Sequence, residues 1–374
     1  MTRRNKMGDS KIIKFTSWVL TILFIILFIL LFSYIYQDYE SLKPTSEFID
    51  ISQNQKEIKL DTNNKEKTQP VILEMNPAPT RTINNEGTTR IDSNKFYYNQ
   101  LDNYSKLIYE SLERQKENLK NGTETINLQE KIKNILEKEN IEAIFSAAIN
   151  AFEYDNPDIY YIDMSKLVLY YESYSSGKYN IYLKKDDQYQ NYLSDDFSNE
   201  EDIKIAQMKI DNIANEIQAN IENIETDYDK ILYIHDWITE NIEYDETLNK
   251  ANRNSIYGAF VDREVTCGGY AKAFKYLVDK LNIDCIIIQG EATTEEKTEN
   301  HAWNYIKLLD NWYGVDCTWD DPIIIGETGN EKKPKYYTYF LKGQEVFNNH
   351  KPFQTFFNTD IKINYPALSN NNFN

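Results

Sequence analysis

The chain has 374 residues, 59 of them acidic and 41 basic, for a net charge of −18. That balance excludes a nucleic-acid backbone as the main partner, because phosphate binding needs clustered Lys and Arg. Three cysteines are too few for a disulfide framework, and the length allows two folded units or one large unit with appendages.

In chain order, the first feature is an apolar run. Residues 15–36, FTSWVLTILFIILFILLFSYIY, are 22 consecutive positions without a charge. As a helix this run spans about 33 Å, enough for a hydrocarbon core of about 30 Å. Arg3, Arg4, Lys6, Lys11 and Lys14 precede it against the single acid Asp9, and Asp38 and Glu40 follow it. The positive-inside rule then keeps 1–14 as a cytoplasmic basic segment and carries residue 37 onward outside the cell. The run exceeds the apolar region of a cleaved signal and no Ala-x-Ala follows it, so it is expected to remain as a single-pass signal anchor.

Residues 37–95 read as a disordered stalk. No aromatic residue occurs from Ile49 to Lys95, and the segment is rich in Asn, Thr, Lys and Glu. It has too little apolar surface to offset the entropy of ordering. Aromatics return at Phe96, and 96–225 is expected to be a helical and β-hairpin extension. Leu101, Tyr104, Ile108 and Leu112 recur at helical spacing, as do Ile141, Ile144, Phe145, Ala148 and Phe152. Pro157 should end that helix, with a strand to follow. KLVLYYESYSSGKYNIYLK, from Lys166, alternates around Ser-Ser-Gly as a hairpin does. Helices are expected over 200–225 and 227–243.

The next helix starts near Cys267. Tyr270, Ala273, Phe274, Leu277, Val278 and Leu281 form one stripe, and three residues before Tyr270 is Cys267. A thiol at a helix start meets the positive end of the helix dipole, which favours a thiolate, and unpaired N–H groups that can receive an oxyanion. Gly268 and Gly269 each cost the helix about 1 kcal/mol relative to Ala. They are expected to clear the approach of a substrate backbone to the thiol.

A nucleophilic thiol needs a base, and the chain has three histidines. His350 lies in the polar NNHKPF stretch and carries little weight. His235 shares a helix face with Ile231, Ile234, Ile238 and Ile242, which predicts a hydrogen-bonded core histidine. His301 opens HAWNYIKLLDNWYGVDCTW, two alternating runs around a turn near 309–311. In such a hairpin His301 and Asp316 share a face, offset by one or two pairs, within reach of each other. Asp316 can then orient His301 while His301 serves Cys267, the logic of a nucleophile–base–orienter triad. Cys285, in the apolar run CIII, and Cys317, opposite in alternation to Asp316, read as small core residues, with a bridge between them left open. Asp320 and Asp321 read as strand-exit and turn residues. No metal site or cofactor motif is visible.

VTCGGYAKAFKYLVDKLNI from Val265, NHAWNYIKL from Asn300 and WYGVDCTWDDP from Trp312 together resemble the three motifs of bacterial transglutaminase-like superfamily domains. The resemblance covers roughly 225–322. It implies an α+β, papain-like core at 226–374, with Cys at a helix N-terminus packed on an antiparallel sheet. It also implies Cys267 as nucleophile, His301 as base and Asp316 as orienter. The region 96–200 resembles the extension that precedes such domains in low-GC Gram-positive bacteria. One departure is the turn, where relatives often have Asp-Gly and this chain has Leu309, Asp310 and Asn311. The resulting expectation is a membrane-tethered extracellular cysteine enzyme acting on protein or peptide amides, wall peptide included, by hydrolysis. Transamidation between proteins, or a non-catalytic surface binding module, are the alternatives.

Overall fold

The computed structural model describes residues 93–128, 141–173, 179–294, 297–321, 335–357 and 359–373, which lie in one compact unit. The expected basic segment, anchor and nearly all of the stalk lie outside these. Among the described residues no helix is long and apolar enough to cross a membrane.

The fold starts slightly earlier than the return of aromatics suggests. Ser93–Lys95 form a 3₁₀ turn in which the Ser93 hydroxyl donates to Asp284 at 3.2 Å. Helix α1 (Asn103–Arg114) begins where Asp102 accepts the N–H groups of Tyr104 and Ser105, a side-chain cap. Its buried Ile108, Tyr109 and Leu112 pack towards α2 (Ile141–Asp155), with Tyr109 edge-on to Phe152. Between them lies the short β1 (Ile126–Asn127). Helix α2 stops two residues before Pro157, as that proline requires. The strand expected next is absent: Tyr160 and Tyr161 are buried in a turn, and only Ile162 forms a bridge, to Leu193. Strands β2 (Leu167–Ser173) and β3 (Tyr179–Lys185) pair antiparallel, and β1 adds to β3.

Helix α3 (Glu200–Ile221) is capped by Asn199 and α4 (Asp227–Asn241) by Thr226. On α4 the predicted face is buried: Ile231, Ile234, His235 and Ile238 have no exposure. The chain then runs through β4 (Glu243–Tyr244) and a π-helical turn at Gly258–Asp262 to β5 (Glu264–Val265), which pairs parallel with β4. Strand β5 delivers the chain directly into α5 (Cys267–Asp279).

Helix α5 is buried all round, not only on its apolar stripe. Phe274 and Val278 have no exposure, and Lys275 is 1% exposed. Each large apolar side chain here contributes on the order of 2 kcal/mol by burial. Lys275 reaches Asp279 at 2.9 Å and the Cys285 carbonyl at 2.9 Å, and Lys272 meets Glu153 of α2 at 2.6 Å. Buried cations without such partners would be strongly destabilising. One face of α5 lies on a four-stranded antiparallel sheet ordered β8-β7-β6-β9, made by β6 (Cys285–Thr293), β7 (Thr298–Leu308), β8 (Asn311–Val315) and β9 (His350–Pro352). The Asn304 amide of β7 donates to the Ala271 carbonyl at 3.0 Å and ties helix to sheet.

The β7–β8 turn is resolved without glycine. Leu308 pairs with Asn311, and Leu309 and Asp310 both take positive φ, +47° and +66°. This is the twist that a two-residue hairpin loop demands, adopted by residues that favour it less than Asn-Gly. Strand β8 ends at Val315. The sequence from Cys317 is therefore not strand but a one-turn helix, α6 (Cys317–Asp320). The Asn-rich C-terminal part also folds. The Ser369 amide donates to Trp312 at 2.8 Å, the Phe373 amide donates to Leu341 at 3.0 Å, and Leu368 is buried.

Candidate active site

The site assembles where the start of α5 meets β7 and the end of β8. Cys267 is the first residue of α5, half-buried beside Ala271, Ile287 and Ala302. Thr266 precedes it in extended backbone but does not cap the helix with its side chain. Its hydroxyl goes instead to Asn254. Among the described residues, the Cys267 and Gly268 N–H groups have no hydrogen-bond partner, whereas the Gly269 N–H donates to Thr266 at 2.9 Å. The helix start thus keeps two donors beside the sulfur, where a developing oxyanion can use them.

Gly269 has a reason the sequence did not reveal. A Cβ on Gly269 would stand 2.4 Å from the Val265 side chain and 2.8 Å from the Arg253 carbonyl. One on Gly268 would meet Asn254 at 2.8 Å. Gly269 is small because the chain's own 253–265 segment closes on the helix start, whereas at Gly268 the near atom is the end of the Asn254 side chain. Clearing a path for substrate is not required to explain Gly269.

His301 and Asp316 are brought together. Asn304 pairs with Val315, so continuation of the ladder sets Asp316 opposite Trp303, one diagonal step from His301. The His301 Nε2–H donates to Asp316 Oδ2 at 2.7 Å, both side chains being buried. Asp316 has a second duty: as N-cap of α6, its Oδ1 accepts the N–H groups of Thr318 and Trp319 at 3.0 and 3.2 Å. With Nε2 committed to Asp316, Nδ1 is the ring nitrogen left to serve Cys267.

Burial opposes charge on His301, but Asp316, and then Cys267 as a further hydrogen-bond partner, outweigh it and raise its pKa to about 10. Burial likewise opposes the Asp316 anion. His301 and His350 overcome it and hold the carboxyl well below the usual carboxylate range. Their directions agree: the pair is an imidazolium–carboxylate, the state that a base must reach during acyl transfer.

His350, of little weight in its polar NNHKPF stretch, belongs to the site. It is 4% exposed, lies on β9 of the main sheet, and donates from Nε2 to Asp316 Oδ2 at 3.1 Å. No local pattern announces it, because NNHKPF is too short and polar to show strand alternation. His301, Asp316 and His350 also bring three donor atoms within 4.8 Å. Their separations are those of hydrogen bonds, and a divalent ion would have to displace the proton each ring donates.

Other acids near the site are structural. His235 is the buried, hydrogen-bonded histidine its helix face predicts, with Nε2 3.1 Å from Asp320 Oδ2. Asp320 and Asp321, read as turn residues, are buried; the Tyr270 hydroxyl donates to Asp321. Cys285 and Cys317 are free thiols, so the open question of a bridge closes against it, and burial pushes both pKa values up. Two further residues lie near Cys267. Tyr154 of α2 packs on the same Ala271, Ile287 and Ala302 cluster as Cys267 and accepts from the Gln289 amide. Tyr244 of β4 has its phenol pKa raised, by burial first and then by Cys267 and nearby acids.

The Transglutaminase-like superfamily model matches residues 212–317, a span that contains Cys267, His301 and Asp316 and begins inside α3. Residues 212–317 are a transglutaminase-like domain. The transglutaminase-like core is α+β, helices on an antiparallel sheet. Among curated proteins, the chain is 25% identical over 166 residues to the kyphoscoliosis peptidase of Mus musculus and 26% identical over 146 residues to that of Homo sapiens. These alignments take in 40% and 35% of this chain, which spans about a quarter of the length of each relative, 25% and 22%. Among solved structures, a TGase matches with a TM-score of 0.29 and 14% identity, over 47% of this chain and 50% of that one. A protein described as a putative cysteine protease from Cytophaga hutchinsonii matches with a TM-score of 0.26 and 19% identity, over 42% and 68%.

Proposed function

We propose that this chain is a cysteine acyl-transfer enzyme that acts on protein or peptide amides, by hydrolysis. The observation that carries the proposal is the 2.7 Å bond from His301 Nε2 to Asp316, which leaves Nδ1 for a thiol that stands at the start of α5. The Cys267 sulfur, its proton already passed to His301 Nδ1, bonds to the amide carbonyl carbon. The N–H groups of Cys267 and Gly268 receive the oxyanion. Collapse breaks the C–N bond, His301 returns the proton to the leaving amine, and a thioester remains. Water then attacks the thioester as His301 takes its proton, and the acid and the thiol are released. A lysine amine in place of water would instead join two proteins.

The apolar run 15–36 and its basic flank support placing this activity outside the membrane of a tethered protein, with 37–95 as spacer, 96–225 as extension and 226–374 as catalytic domain. Substrates would then be exported or wall-associated proteins and peptides.

The test begins with iodoacetamide labelling of the full-length protein. Cys267 should be alkylated well ahead of the buried Cys285 and Cys317. Incubation with a glutamine-bearing protein and a labelled amine then separates new termini or released acid from amine incorporation. Cleavage or incorporation that survives in Cys267→Ala would sink the proposal.

A further inference from the structure

Asp316 is a saturated carboxylate. A carboxylate has about four lone-pair positions. Here Oδ1 takes the Thr318 and Trp319 amides, and Oδ2 takes both His301 and His350. A triad needs only one of the two rings, and α6 accounts for the amides. The second ring is unexplained by either.

His350 is built into place. Its ring lies 4.7 Å from Trp319, 4.7 Å from Phe347, 4.9 Å from Trp303 and 5.2 Å from Tyr339, between ring centroids. Asn349 Oδ1 lies 2.8 Å from Nδ1, and the Asn349 amide N–H donates to the Tyr339 hydroxyl at 3.1 Å. Two glycines seat the segment. A Cβ on Gly314 would stand 2.3 Å from the Phe347 ring, and one on Gly290 would stand 2.1 Å from the Lys351 carbonyl.

We propose that His350 is a positioning residue. Its Nε2–H fixes Asp316 Oδ2 and limits how tightly that carboxylate holds the His301 ring in its charged form. Each N–H donated to an anion withdraws part of the charge available to the other donors. With two rings on one oxygen, His301 is oriented firmly but gives up its proton more readily than it would to a carboxylate of its own. A base that must also become an acid within one turnover needs that balance. The titratable groups facing the His350 ring are Asp316 after β8, His301 on β7 and Tyr339 in the 335–345 segment. Burial lowers the His350 pKa, with Asp316 opposing and His301 reinforcing. The role rests on the acyl-transfer proposal for Cys267 and His301.

The chain's three histidines make the test direct. Selective ¹⁵N-histidine labelling of the full-length protein gives three rings whose titrations are followed by NMR in wild type, His350→Phe and His350→Gln. In His350→Phe, the His301 titration should move upward by about half a pH unit or more. In His350→Gln, whose amide N–H can occupy the Nε2 position, it should return to the wild-type value. A folded His350→Phe with an unmoved or lowered His301 titration overturns the proposal, as does a Gln variant that behaves like Phe. If the Phe variant does not fold, the Gln variant decides alone: a displaced His301 titration in it overturns the proposal. No substrate is needed. A failed acyl-transfer assay with the His301 titration moved as expected would count against the enzyme and leave the His350–Asp316 coupling intact.

Discussion

Among the described residues, two of the buried histidine–aspartate pairs, His301–Asp316 and His235–Asp320, have acids four residues apart and different surroundings. In the first, Nε2 is bound at 2.7 Å and Nδ1 is left toward a thiol. In the second, Nε2 meets Asp320 at 3.1 Å and Nδ1 faces Asp236 at 3.4 Å, so both nitrogens are turned to carboxylates. The acids diverge too. His301 and His350 overcome the burial of Asp316 and draw its pKa down, whereas Asp320 is raised, burial outweighing His235 and the Tyr339 amide. A buried His–Asp pair is therefore no sign of catalysis by itself. What separates the pairs is a ring nitrogen turned to a thiol and not to a second carboxylate, and an acid whose donors outweigh its burial.

The comparison is broken most sharply at Cys267. Cys267→Ala should abolish turnover, a loss of three orders of magnitude or more on the order of triad knockouts, with little change in melting temperature. Next, Asp316→Asn should lower kcat by roughly 10³–10⁴-fold through a misoriented His301, with an added stability loss of about 1 kcal/mol from a weakened cap on α6. The matching change in the second pair, Asp320→Asn, should do the reverse. It should cost about 2–4 kcal/mol in urea unfolding by leaving His235 poorly paired, while Cys267 in the folded fraction alkylates at the wild-type rate.

pH sharpens the comparison further. His301 is raised from 6.5 to about 10 in the folded state, so its contribution to stability is full below pH 6.5 and is lost as pH climbs towards 10. Asp316 is lowered, so its share is present above its unfolded pKa, about 4, and fades as pH falls below that. The stability gap between wild type and His301→Phe, read from urea midpoints, should narrow between pH 6.5 and 10; a constant gap would contradict the pairing. The smallest effect lies at the turn. Replacing Leu309 and Asp310 by Asn-Gly should stabilise by about 0.5–1 kcal/mol with kcat unchanged.

Local patterns carried the core of this molecule. The stripe on α5, the alternation of β7 and β8 and the spacing of His301 to Asp316 were legible because helix and strand periods act over a few residues. The extents of α3 and α4 came within a few residues for the same reason. Three things were not legible. The residues after Val315 continue an alternating pattern, but the Asp316 side chain satisfies the next amides and turns the chain into α6. His350 is drawn in by tertiary packing of a segment with no period of its own. Gly269 answers to a distant stretch, 253–265, that no local pattern connects to it.

The contacts between the N-terminal helices and the α5 region set a limit on how the chain can be divided. Glu153 pairs with Lys272, Tyr154 shares a packing cluster with Cys267 and meets Gln289, and Tyr97 donates its hydroxyl to the Ile287 carbonyl. Asp155 accepts the amides of Tyr97 and Tyr98 at 3.0 and 2.9 Å and so holds that arrangement in place. A graft of 226–373 onto another scaffold would leave a buried ammonium, an amide and a strand carbonyl open together. In recombination or protein engineering, the transplantable module is the whole folded stretch from Ser93, and the two halves would have to be inherited together.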